Sequence, residues 1–185
     1  MVENLKILLV NPRCLDERVT DEDAKVVPIG LYYIGAVLLE NRFNTAILNL
    51  SETRDDPIWA FTRELERFAP DIIGFSVTNP NRWNAIECAG IARQTLPQAT
   101  IVFGGPAPTF LAQHLFNVCP ALDYIVPAEG EISFIELTRA LASGTDPLQA
   151  EVPGLIGKKE DTIYRTVKRP LIDNLDTLPH PSRYF

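Results

Sequence analysis

Histidine is nearly missing from this chain. His114 and His180 are the only two in 185 residues, and neither has an acid and a nucleophile nearby with which to build a catalytic triad. Cysteine is scarce as well. Cys14, Cys88 and Cys119 are odd in number and widely spaced, which excludes a disulfide frame or a zinc site and suits small buried thiols in a reducing, cytoplasmic setting. Basic residues are outnumbered 17 to 24, giving a net charge of −7, so no electrostatic footprint for nucleic acid or an anionic membrane is present. No apolar run approaches the roughly 20 residues of a membrane-spanning helix, and no signal-peptide hydrophobic region follows the start. Gly-x-Gly-x-x-Gly and Gly-x-x-x-x-Gly-Lys-Ser/Thr are both missing, which removes the dinucleotide fingerprint and the phosphate-cradling loop. The first apolar run ends in Asn11, where a phosphoacceptor receiver would carry acidic residues.

What the chain does have is alternation. Short apolar runs over Lys6–Val10, Thr45–Leu50, Asp71–Ile73, Thr100–Phe103 and Tyr124–Val126 read as strands buried on both faces. Between them, apolar residues recur at helical spacing: Leu31, Ile34, Val37 and Leu38, then Ile58, Phe61, Leu65 and Phe68 after Pro57. A third helix has the small inner stripe Ala85, Cys88, Ala89 and Ala92, a fourth covers about Thr109–Asn117, and a last one carries Phe134, Leu137 and Leu141. Five strands alternating with five helices predict an α/β fold, a doubly wound parallel sheet of flavodoxin-like order 2-1-3-4-5. With 46% hydrophobic residues, residues 1–147 can bury a core of their own. Residues 148–185 differ in character: Leu155–Lys158 and Thr162–Arg165 read as a small hairpin, and Asp173–Phe185 as an extended strap or linker.

Polar and glycine-rich stretches gather just past three adjacent strands. They are Gly74-Phe75-Ser76-Val77-Thr78-Asn79, Gly104-Gly105-Pro106 and Glu129-Gly130-Glu131. Ligands of open α/β sheets bind in the crevice beyond the carboxyl ends of the strands, so these residues make a candidate binding edge. Gly104 and Gly105 allow close backbone approach. Ser76 and Thr78 share a face if the strand continues that far. The first turn of the last helix offers amides and the positive end of its dipole. Each stretch also has a plainer explanation, as a tight turn, a helix cap, or acids complementing a dipole.

Six marks, in order, resemble the N-terminal cobalamin-binding domain of cobalamin-dependent radical S-adenosylmethionine (SAM) enzymes. They are Ile7-Leu8-Leu9-Val10-Asn11-Pro12, Pro28-Ile29-Gly30-Leu31-Tyr32-Tyr33-Ile34-Gly35-Ala36, Pro70–Thr78, Val102–Thr109, Asp123–Val126 with Glu129-Gly130-Glu131, and the connector-like Ile172–Pro179. The resemblance implies cobalamin bound with its nucleotide tail detached from cobalt and threaded along the sheet edge. It implies Asn11, Pro28, Gly30, Leu31, Ser76, Val77, Thr78, Asn79, Gly104, Gly105, Pro106, Glu129, Gly130 and Glu131 as the cofactor-binding set. It also implies service to a radical SAM catalytic domain, in cis or in trans, that carries out methyl transfer with SAM and a 4Fe-4S cluster.

Two departures qualify the resemblance. Residues Asn11–Gly30 contain no histidine, so the Asp-x-His-x-x-Gly motif that ligates cobalt in many cobalamin modules is missing. Base-off cobalamin above an apolar surface from Val26, Val27, Pro28 and Ile29 is expected instead. The Cys-x-x-x-Cys-x-x-Cys cluster motif is also missing, so the chain is expected to be either a fragment of a longer enzyme or a free-standing carrier. Two other classes of function stay open on the residues alone: a module for a flavin or nucleotide phosphate, and an emptied docking or regulatory module.

Overall fold

Six consecutive residues alternating between two cores form the first strand, β1 (Lys6–Asn11). Leu8 and Val10 enter one core, and Ile7 and Leu9 enter the other. The computed structural model describes residues 5–14, 27–160 and 162–185; Val26 and most of the segment between Asn11 and Gly30 lie outside them. The elements that follow are α1 (Ile29–Glu40), β2 (Asn44–Asn49), α2 (Pro57–Phe68), β3 (Ile72–Ser76), α3 (Arg82–Thr95), β4 (Thr100–Gly104), α4 (Pro106–Val118), β5 (Tyr124–Val126) and α5 (Glu131–Ala142). A hairpin of β6 (Ile156–Lys159) and β7 (Thr162–Arg165) follows, and then two single 3-10 turns at Leu175–Thr177 and Pro181–Arg183.

The sheet order is β2-β1-β3-β4-β5-β6-β7, with the first five strands parallel. The expected order 2-1-3-4-5 is therefore present, and the sheet continues beyond it. β6 pairs antiparallel with β5, joining the hairpin to the sheet as two further strands rather than leaving it outside. Gly157 makes this contact possible, because a Cβ there would lie 2.7 Å from Leu148 Cδ1 and 3.1 Å from the Tyr124 ring.

Helices cover both faces. Residues of α2, α3 and α4 share one core with Phe61, Phe75 and Phe103, whose rings pack edge to face or tilted. The expected small stripe of α3, Ala85, Cys88, Ala89 and Ala92, is fully buried there. Helices α1 and α5 cover the other face, with Leu31, Val37 and Leu38 set against Phe134, Ile135 and Leu137. Helix α2 starts as its sequence predicts, with Pro57 in the first turn and the Asp56 carboxylate accepting from Trp59 N–H at 2.8 Å.

Helix α4 begins three residues earlier than the apolar spacing suggests. Pro106 occupies its first turn directly after Gly105, and a kink at Leu111 interrupts the period that periodicity relies on. The chain after β7, from Arg169 through the strap, folds back across the α1/α5 face. Arg169 bonds Ser133 Oγ at 2.9 Å and pairs with Glu136, and the Ile172 N–H donates to Glu129 Oε2 at 2.7 Å. Phe185 ends against α1, its ring 5.3 Å from that of Tyr32 and close enough to Gly35 that a Cβ there would sit 2.9 Å from it. No helix among the described residues is long and apolar enough to cross a membrane.

Candidate functional site

Two rows of residues on the α1/α5 face of the sheet form the floor of a cavity of about 310 Å³. Leu9, Gly74 and Val102 lie side by side across β1, β3 and β4. One step further toward the carboxyl ends lie Ser76, Gly104 and Val126 across β3, β4 and β5. Gly30, Leu31 and Ile34 of α1 form one wall, and Ala128 to Glu131 with Phe134 form the other. The cavity is open because the sheet carries glycine at two floor positions. Gly74 admits the Phe134 ring, which a Cβ would approach to 3.0 Å. Gly104 leaves room above β4, with only a backbone oxygen 3.5 Å from where its Cβ would be.

Gly105 has a different job. Its φ is +99° and ψ is −172°, a region open essentially to glycine alone. A Cβ there would lie 2.9 Å from the Val77 carbonyl oxygen rather than in the cavity. Val77 is fully buried in the opposite core and holds this turn from below: its N–H donates to Gly104 O at 2.7 Å, and its carbonyl accepts from Ala107 N–H at 3.1 Å. The β5–α5 loop is fixed in turn by Thr109, whose Oγ1 accepts from Ala128 N–H at 2.9 Å and donates to Gly105 O at 2.9 Å. Ala128 takes a left-handed φ of +58°, a strained conformation for a residue with a Cβ, and it stands in the cavity wall.

Nine of the residues expected to bind a cofactor converge on this cavity: Gly30, Leu31, Ser76, Gly104, Gly105, Pro106, Glu129, Gly130 and Glu131. The other five lie elsewhere. Thr78 does not share a face with Ser76, because β3 ends at Ser76 and the Thr78 N–H is taken by Asn81 Oδ1 at 2.7 Å. Asn79 is exposed and accepts from Arg82. Pro28 immediately precedes α1, its carbonyl accepting from Leu31 N–H at 2.9 Å. Asn11 donates to Asn49 Oδ1 at 2.8 Å, within a group of polar side chains around the chain that leaves β1. Ser51 and Asn81 donate to Pro12 O, and Asn84 Oδ1 accepts from Arg13 N–H. This group positions the loop after β1 and does not line the cavity.

Sequence reasoning passed over Leu9, Ile34, Val102, Val126 and Phe134, and placed Gly74 at the candidate edge without including it in the binding set. Strand alternation was the usable signal for two of them, since Gly74 and Val102 stand two residues before Ser76 and Gly104 and so share their face.

The electrostatics of the cavity are one-sided. Glu129 and Glu131 line it, and among the described residues none that lines it is cationic. Glu129 Oε2 is engaged by the strap through Ile172 N–H. Glu131 Oε2 is buried without a hydrogen-bond partner, a state that costs about 1–3 kcal/mol or more for a polar group left unpaired. Burial pushes the Glu131 carboxyl above its ordinary value, and the charge of Glu129 adds to this. The amides of Glu131 and Gly130 draw it down but do not prevail.

Cobalamin, the cofactor that the sequence resemblance implies, suits these residues on three counts. The floor is apolar and partly stripped of side chains, a buried carboxyl oxygen lacks a partner, and nothing lies within 4 Å of where a Gly30 Cβ would stand at the mouth.

Comparison with known proteins agrees. The chain is 32% identical over 183 residues to an uncharacterized methyltransferase of Pyrococcus horikoshii, covering 96% of this chain and 38% of that one. It is 26% identical to the anaerobic magnesium-protoporphyrin IX monomethyl ester cyclase of Synechocystis, covering 93% and 34%. The chain thus spans little more than a third of the length of these curated relatives. Among solved structures, the radical SAM methyltransferase TsrM from Kitasatospora setae, with cobalamin and a [4Fe-4S] cluster bound, superposes with a TM-score of 0.76 at 23% identity, covering 96% of this chain and 32% of that one. The cobalamin-dependent SAM radical enzyme OxsB, with aqua-cobalamin and SAM bound, gives 0.76 at 20%, covering 92% and 23%. Residues 19–138 match the family described as B12 binding domain, and the chain belongs to that family.

Proposed function

We propose that this chain is the cofactor domain of a cobalamin-dependent radical SAM methyltransferase, joined in cis to a catalytic domain that holds SAM and a 4Fe-4S cluster, in the cytoplasm and without nucleic acid or membrane partners. Residues 1–147 bind the cofactor, and 148–185 lead toward the catalytic domain. The observation that carries this reading is the cavity at the carboxyl ends of β3, β4 and β5 in a chain of the B12-binding family. The methyltransferase relative, similar along nearly the whole chain, supports the reaction class.

Bound cobalamin supplies the cobalt that carries a methyl group; the chain's own residues bind and orient it. The cavity is a place for the detached nucleotide tail, so the cofactor is bound base-off. Val27 and Ile29, exposed beside the Gly30 mouth, would offer a corrin an apolar surface. No imidazole follows from residues 11–30.

Incubation of the chain with hydroxocobalamin or with flavin mononucleotide, followed by desalting and a visible spectrum, tests the assignment. A retained corrin and a free flavin are expected; both eluting free overturns it. Electron paramagnetic resonance of the reduced, paramagnetic cobalamin complex tests the base-off geometry. Superhyperfine splitting from one axial nitrogen overturns that part.

A further inference from the structure

Among the described residues lining the cavity, Glu131 has a buried side-chain oxygen that the protein leaves without a hydrogen-bond partner. Of the cavity's two carboxyls, Glu129 is satisfied by the strap, while Glu131 keeps a buried oxygen without a donor. The floor beneath is apolar, with Leu9, Val102 and Val126. Adjacent carboxyls with no cation in the lining repel a phosphodiester. The nucleotide tail of cobalamin has one anionic part, the phosphodiester, and one uncharged part, the base with its ribose. The dimethylbenzimidazole ring itself bears no N–H, so the donors of the uncharged part are the ribose hydroxyls.

We propose that Glu131 is the specificity-determining residue for the tail: its buried carboxyl oxygen accepts a hydrogen bond from a ribose hydroxyl, and with Glu129 it keeps the phosphodiester outside the cavity. This rests on the assignment of cobalamin as the cofactor, and it fixes which end of the tail enters. A carboxylate that reads a ribose hydroxyl uses the same chemistry as the acidic residue of dinucleotide folds, here on the last helix of the sheet rather than after its second strand.

The test uses the full chain and two corrins, hydroxocobalamin and cobinamide, which lacks the nucleotide, each titrated by visible absorbance. Glu131→Leu is expected to weaken cobalamin by about tenfold or more, the loss that accompanies a buried hydrogen bond to a charged group, and to leave cobinamide unchanged. Glu131→Gln, which keeps an accepting oxygen, is expected to hold cobalamin within roughly threefold of wild type. In competition, the neutral nucleoside α-ribazole is expected to displace cobalamin at least as well as its phosphate ester.

Equal weakening of both corrins by Glu131→Leu overturns the inference, because the residue then acts through the fold. Unchanged cobalamin binding, or a clearly stronger phosphate ester, overturns it as well. Failure of the wild-type chain to hold either corrin overturns the cofactor assignment and this inference with it. That outcome is separate from a wild type that binds and a Leu variant that binds equally.

Discussion

At the amino ends of β4 and β5, polar groups are tied to one another; at the carboxyl ends they are kept apart. Arg93 of α3 donates to the carbonyls of Pro97, Ala99 and Ala121 at 2.8 to 3.0 Å and to Asp123 at 2.6 Å. Asp123 also accepts from Ile101 N–H at 2.7 Å. Burial holds its carboxyl above the ordinary range, against the pull of Ile101 and Arg93. The cavity at that end, about 480 Å³, is the larger of the two, yet its strongest polar groups already have partners. The smaller cavity has glycines in its floor, a left-handed alanine in its wall and an unpartnered carboxyl oxygen. Volume alone points to the amino end, while the unsatisfied groups point to the carboxyl end. A ligand is better located by the groups a protein leaves unsatisfied than by the space it leaves empty.

The comparison breaks most severely at Gly105. Gly105→Val places a branched Cβ against the Val77 backbone at a φ of +99°, and a loss of at least about 3 kcal/mol is expected from the strained backbone and the collision together. Urea denaturation monitored by circular dichroism measures it. A variant as stable as wild type would show that this turn does not depend on glycine. The effect is on the fold, so this position does not report cofactor binding cleanly.

Gly30→Phe reports binding instead. Its Cβ meets nothing within 4 Å, so the fold is expected to stand within about 0.5 kcal/mol of wild type while cobalamin retention is lost at the occupied mouth. A variant that folds and keeps its corrin would move the cofactor off this wall.

Next in size is Asp123→Ala, at the opposite end. With Arg93 and Asp123 about one-third exposed, screening limits the loss to about 1–2 kcal/mol, and the affinity for cobalamin is expected to be unchanged. Weakened cobalamin binding would show that the two ends are coupled.

A smaller difference separates Glu131→Gln from wild type as pH changes. A carboxyl raised in the fold favours folding in its neutral form. That contribution is complete below the ordinary value of 4.5 and is lost as pH rises through the raised folded value. Ligand-free wild type is therefore expected to lose thermal midpoint relative to Glu131→Gln across that window, as differential scanning fluorimetry would show. Parallel curves would contradict the upward shift.

The smallest effect concerns thiols. Burial pushes Cys88 up to about 12 and Cys119 up to about 11, so Ellman's reagent at pH 8 is expected to find neither in the native chain. Both should appear on unfolding. Rapid native labelling of Cys119 would mean that the amino-end cavity opens.

Much of this architecture was legible in the residues because its signals are local. Apolar runs bounded by turn residues marked the parallel strands, and Pro57 marked a helix start. The Ala85–Ala92 stripe gave the helix face that approaches the sheet. The hairpin's place in the sheet was not legible, because Gly157 looks like any turn glycine until Leu148 and Tyr124 are seen above it. The cavity was half legible. Glycines and acids past strand ends stand out, but Leu9, Ile34 and Phe134 are ordinary core residues in a sequence, and only the missing side chains opposite them make them a wall. Thr78 and Asn79 looked like site residues because polarity near a strand end is a cue that ignores direction; the end of β3 at Ser76 turns them away.

The pairing of β6 with β5 has a consequence for motion. β5 is three residues long, and as an edge strand it would be the first part of the sheet to fray. With Gly104 opposite Val126 on one side and Ile156 opposite Ile125 on the other, it is an interior strand. The amides it turns toward β6 then exchange with solvent only through an opening that also lifts the hairpin away. The shortest strand of the sheet is thereby made slow to open, and the Val126 floor and the loop that follows it hold their shape through the local fluctuations that loosen ordinary sheet edges.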